Sequence, residues 1–199
     1  MPGVMRIKIR NLLREGNMQK EHIYRSCIAI VFIIFAGSAF MNGIEYSEAV
    51  DAGSQPIEIG LVHWGRNFEE ALERSRREDR PVLALFQEVP GCSGTQQFGK
   101  DVLSHPRIVE AIENEFIPVL IYNNRGGRDA EILAQYNEPT WNYQVIRFLD
   151  SSGNDIIPRK DRIWTLGAVA GRLSEALRAA GRNVPLYLQG LALKEAGDT

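Results

Sequence analysis

Apolar residues fall along this chain in two rhythms. Continuous runs of strand length occupy residues 82–86 and 117–122, and both read as strands buried on both faces. Around them, apolar positions return every three or four residues, the stripe of an amphipathic helix. Phe68, Ala71, Leu72 and Ser75 form one such stripe; Ile108, Ala111, Ile112 and Phe116 form a second; Ala130, Ile132, Leu133 and Tyr136 suggest a short third. The longest takes in Leu166, Val169, Ala170, Leu173, Ala176, Leu177 and Ala180.

Boundary residues agree with these elements. Asn67 followed by Glu70 has the form of a capping box, Pro81 stops the helix it follows, Pro106 suits the first position of another, and Gly181 suits a C-terminal cap. Residues 95–103 predict a helix, and residues 184–196 a small one. Residues 145–150, a turn at 151–154 and residues 155–157 predict an antiparallel hairpin. The resulting order of helices and strands is that of an α/β domain, with a mixed sheet covered by helices on both faces. The domain is expected over residues 59–182, after a polar, Gly/Ser-containing linker at 41–58 and before a helical extension at 183–199.

The N-terminus has a different character. Residues 27–40 carry no charge, follow a basic segment and end in small residues, which predicts a signal peptide or, alternatively, an uncleaved membrane anchor over residues 1–40. The apolar core is shorter than the roughly 20 residues wanted for a span, and Gly37 and Ala39 suit the positions before a cleavage site. Met18 is an alternative start that leaves a compact basic region. Either reading places the domain in an extracytoplasmic space such as the periplasm, touching membrane only through this segment.

Charge narrows the partners. The whole chain has 23 basic and 25 acidic residues, but residues 1–39 hold six basic and two acidic ones, which leaves 17 basic against 23 acidic in the rest, a net of -6. An acidic remainder without a basic stripe argues against nucleic acid.

The candidate chemistry centres on Cys92, in the stretch Val89-Pro90-Gly91-Cys92-Ser93-Gly94-Thr95. It follows an apolar strand and sits where a helix should begin. A thiol reacts as thiolate, and unpaired amides at a helix N-terminus favour that charge. Gly91 and Gly94 let the backbone wrap closely around the sulfur, with Ser93 between, and Thr95 one turn on can offer its hydroxyl or serve simply as a helix-start residue. The other cysteine, Cys27, lies in the N-terminal apolar segment, so an internal disulfide is not expected. Glu88 reads as a proton acceptor, a charge that lifts the thiol pKa, or an exposed strand-end carboxylate. His63 reads as strand packing and His105 as a helix-entry residue. With one cysteine they form no metal spacing, and no cofactor is implied.

Trp64, the helix from Asn67, Arg80-Pro81-Val82-Leu83, Gly91-Cys92, the strand before Tyr122, and Phe148-Leu149-Asp150 through Gly153 together resemble the thioredoxin-like superfamily, especially its exported branch, over residues 62–181. The resemblance places Thr95 where a thioredoxin has its second cysteine, making this a single-cysteine, C-x-x-T member. It places Gln144, or Pro139 with a longer loop, at the cis-proline position beside the sulfur, and Phe86 where a buried acid would stand. Trp141 and Gln144 would then join Gly91, Ser93 and Gly94 in contacting substrate. The implied activity is a monothiol redox reaction, in which Cys92 attacks a disulfide or another oxidised sulfur species and an external thiol, small or protein-borne, releases the adduct. The rival expectation is a thioredoxin-fold module that binds a protein partner without covalent chemistry; a metal-handling role has one good ligand in its favour.

Overall fold

The two apolar runs and the first arm of the expected hairpin become the three strands of one sheet. The computed structural model describes residues 55–140 and 144–197, so the expectations for residues 1–54, the signal or anchor among them, and for Trp141 lie outside the described residues. Strands β1 (Val82–Gln87), β2 (Ile117–Tyr122) and β3 (Val145–Leu149) lie in the order β2-β1-β3. β1 pairs parallel to β2, with Val82 opposite Ile117, and antiparallel to β3, with Val82 opposite Leu149. The sheet is therefore mixed, as expected.

Helices cover both faces. Along β1, Leu83 and Leu85 join Leu120, Ile146 and Phe148 on one face, while Val82, Ala84 and Phe86 join Val119, Ile121 and Val145 on the other. This two-residue alternation follows from the pleat. The first face packs against helices α2 (Ser93–Asp101), α3 (Pro106–Glu115) and α5 (Leu166–Ala179) through Phe98, Ile108, Ile112, Val169 and Leu173. The second packs against α1 (Phe68–Glu78) and α4 (Arg128–Gln135) through Phe68, Ala71, Ile132 and Leu133. At roughly 25 cal/mol per Å² of apolar area, burying each such side chain contributes about 1.5–3 kcal/mol before chain entropy is set against it. A last helix, α6 (Leu186–Gly197), packs on α5.

The helix ends follow the boundary residues. Asn67 Oδ1 accepts from the Glu70 amide at 3.1 Å, His105 Nδ1 accepts from the Arg107 amide at the start of α3, and Thr165 Oγ1 accepts from the Ala168 amide. Gly181 has φ of 70°. Its amide donates to the Arg178 carbonyl and the next amide, of Arg182, donates to that of Leu177, which closes α5 with a left-handed cap.

Three expectations need correction. The return arm of the hairpin is not a strand: it is reduced to one bridge between Leu149 and Asp155 and an amide bond from Ile156 to Phe148. Asp150 Oδ1 instead takes the amides of Ser152 and Asn154, the Asp155 carboxylate turns to Arg147, and Pro158 lacks the N–H that a longer ladder would need. The segment before α1 likewise pairs with β2 only through Gly65 opposite Val119, and His63 is an exposed partner of Glu113, at 2.6 Å, instead of strand packing. Finally, residues 55–58, expected to be linker, are folded. The 3-10 turn Ile57–Ile59 lies against α2 so closely that a Cβ on Gly99 would stand 1.9 Å from the Ile57 carbonyl oxygen.

Candidate functional site around Cys92

Strand β1 ends at Gln87 and hands the chain to a loop that is clamped before it reaches Cys92. Asn124 brackets Val89, its Oδ1 accepting from the Val89 amide and its Nδ2 donating to the Val89 carbonyl, both at 3.3 Å. The Gly91 amide donates to Glu58 Oε1 at 3.0 Å, and Gln96 Nε2 donates to the Gly91 carbonyl at 3.3 Å and towards the same Glu58 oxygen at 3.5 Å. Glu58 is only 4% exposed. Its main-chain oxygen accepts from the buried Gln87 side chain at 2.5 Å, which ties the 3-10 turn to the end of β1. No side chain fits at Gly91, where a Cβ would lie 2.7 Å from the Glu88 carbonyl oxygen and 2.8 Å from Thr95 Cγ2.

This geometry makes Cys92 the residue at the N-terminal boundary of α2, with extended backbone (φ -70°, ψ 172°) and an exposed thiol. The Gln96 amide closes the first helical bond to its carbonyl. Thr95 is 3% exposed, and its hydroxyl lies 3.4 Å from the sulfur. That hydroxyl, followed by the Thr95 amide and then, more weakly, the Gly94 amide, holds the thiol below its usual range, against opposing desolvation and the negative charge of Glu88. Glu88 is half-buried, and its charge is the smallest of these influences on the thiol.

A pocket of about 350 Å³ opens beside the sulfur, its walls including Thr95, Phe98, Val102, Gln144 and Trp164. The structure thus brings Cys92, Gly94, Thr95 and Gln144 together on one cavity. Gly91 stands behind the sulfur in the clamped loop, and Ser93 is exposed on the first turn of α2. Gln144 is 8% exposed. The cis bond among the described residues is Val89–Pro90, in the Cys92 loop itself, and not the bond before Pro139. The segment leading to Gln144 starts from a buried ionic cluster. Glu138, its side chain 1% exposed, accepts from Arg147 Nε at 2.8 Å and Arg159 Nε at 2.6 Å, while Arg147 also reaches Asp155 at 2.5 Å. Phe86 is in the core on the α1/α4 face and has no proton to offer.

Two residues of this site escaped the sequence reading. Glu58 lay in a stretch read as linker, and its isolated acidic side chain carried no periodic signal. Trp164, 41% exposed and on the rim of the pocket, lies between the return arm and α5; an aromatic in a polar connection was the available hint. Among the described residues no group of three or more His, Cys, Asp or Glu is placed to hold a metal, and no helix is long and apolar enough to cross a membrane.

A family model described as thioredoxin-like matches residues 63–151. Two solved structures share the architecture: a protein described as a DsbH oxidoreductase, at 19% identity over 65% of this chain and 92% of that one with a TM-score of 0.50, and a thioredoxin from Thermus thermophilus, at 20% identity over 60% of this chain and 90% of that one, also with a TM-score of 0.50. No curated protein sequence matches the chain. At these identities the likeness is one of fold.

Proposed function

From a thioredoxin-like fold with a single exposed thiol at its helix N-terminus, we propose that the chain is a thiol-dependent redox protein in which Cys92 is the sole nucleophile. The observation that carries this reading is the Thr95 hydroxyl 3.4 Å from an exposed Cys92 sulfur whose pKa it lowers, since only the thiolate attacks sulfur. In the first step the Cys92 thiolate attacks one sulfur of a disulfide. A new S–S bond forms to Cys92, the old one breaks, and the departing sulfur leaves as thiolate. Thr95 carries a hydroxyl in place of a second thiol and cannot resolve the adduct. An external thiol, of a small molecule or a protein, therefore attacks the mixed disulfide as thiolate, returns Cys92 to its thiolate and keeps the bond to the substrate sulfur. Gly94 lines the pocket beside the sulfur, and Gly91, Ser93, Trp141 and Gln144 are the further residues proposed to contact substrate. The charge-free run at residues 27–40 supports export, with the domain working outside the cytoplasm.

The test is to trap partners on Cys92 in intact cells and identify what is disulfide-linked to it. Recovery of a reductant together with substrates supports turnover. A thiol pKa equal to that of free cysteine, with no adduct after exposure to mixed disulfides, overturns the proposal, and partner binding retained in Cys92→Ser then favours the non-covalent binding module.

A further inference from the structure

The pocket beside Cys92 has a lining that discriminates among disulfides. Phe98 and Val102 supply buried apolar wall, and the Trp164 ring adds exposed aromatic surface at its edge. Gln144, 8% exposed as a residue, brings a side-chain amide to the lining. That amide can donate to a ligand's peptide C=O and accept from its N–H. Charge is one-sided. Asp101 is exposed on the lining, Glu88 acts on the sulfur as a negative charge, and no lysine, arginine or histidine is among the lining residues described.

We propose that this pocket selects, as the disulfide partner of Cys92, an uncharged peptide segment with an apolar or aromatic side chain next to its half-cystine, and disfavours small anionic disulfides of the glutathione type. The aromatic side chain lies against Phe98, Val102 and Trp164, the peptide group bonds to Gln144, and Asp101 and Glu88 repel carboxylates as they approach. The inference rests on Cys92 being the nucleophile proposed above.

Three symmetrical disulfides test it: those of acetyl-Phe-Cys-amide, acetyl-Asp-Cys-amide and glutathione. Each is reacted with the full chain carrying Cys27→Ser, adducts on Cys92 are followed by mass spectrometry, and every rate is divided by that of N-acetylcysteine amide with the same disulfide. Partial burial of one aromatic side chain and exclusion of one carboxylate give an expected preference of roughly tenfold or more for the Phe disulfide. Trp164→Ala should remove most of that preference by slowing the Phe disulfide alone, and Asp101→Asn should speed the two anionic disulfides about threefold at low ionic strength. Both positions are exposed, so unchanged circular dichroism is expected for each variant. Equal normalised rates for the three disulfides, or glutathione disulfide reacting fastest, overturn the selectivity while leaving Cys92 as nucleophile. Absence of any Cys92 adduct overturns the nucleophile and the selectivity together.

Discussion

Replacing Glu58 by alanine should loosen the Cys92 loop and destabilise the domain by about 2 kcal/mol. The carboxylate accepts the Gly91 amide at 3.0 Å in a site only 4% exposed, and a hydrogen bond to a charged group there is worth about 1.5–3 kcal/mol. The 3.5 Å contact from Gln96 adds little, because Gln96 is exposed and turns to water when released. Two buried methylenes add about 0.8 kcal/mol each, and the freed side-chain entropy returns about 1–1.5 kcal/mol. Desolvation of the carboxylate opposes the native arrangement and brings the sum down towards 2 kcal/mol. Urea unfolding, with an m-value of about 2 kcal/mol per molar, would place the midpoint lower by roughly 1 M, equivalent to a melting temperature lower by about 4–8 °C. Glu58→Gln keeps the methylenes and an acceptor, so its loss should be near 1 kcal/mol. A Glu58→Gln protein as stable as the parent, or more so, would refute the reasoning, because desolvation would then outweigh the bond that clamps Gly91.

Removing the Thr95 hydroxyl in Thr95→Val should move the pH dependence of Cys92 alkylation to higher pH. The folded thiol pKa is lowered, so the associated stabilisation is present above the unfolded thiol's pKa and is lost as pH falls through the folded one; iodoacetamide kinetics followed across pH check the direction. Glu138→Gln takes one of two carboxylates from buried Arg147, leaving Asp155, and should cost about 2 kcal/mol in denaturant unfolding. The Tyr136 hydroxyl donates to the Gly153 carbonyl at 2.7 Å, and burial first, then Asp155, pushes its pKa from 10.0 up to about 12. Its contribution is therefore full below pH 10 and lost as pH rises towards about 12, so Tyr136→Phe should flatten the alkaline fall in stability across that window, read by unfolding at a series of pH values.

The core of this fold is written in local periodicity. The runs at 82–86 and 117–122 became strands because residues buried on both faces leave no polar alternation, and the helical stripes became helices that start at Asn67 and Pro106 and close at Gly181 because those residues satisfy or terminate backbone bonding. The hairpin expectation failed at Asp150 and Asp155, whose carboxylates found other partners than the pattern of apolar residues could indicate.

The reactive centre divides in the same way. Cys92 at a strand-to-helix junction, with Gly91 behind it and Thr95 one turn on, is a short-range arrangement, and the sequence by itself determined it. Chain folding alone decided what surrounds that sulfur. Glu58 reaches Gly91 across 33 positions, and Gln144 and Trp164 reach the pocket from beyond β2, by packing that joins segments without any shared sequence pattern. A helix start follows from neighbouring residues, whereas a pocket's charge and shape depend on which distant side chains the sheet and its helices bring to the same end.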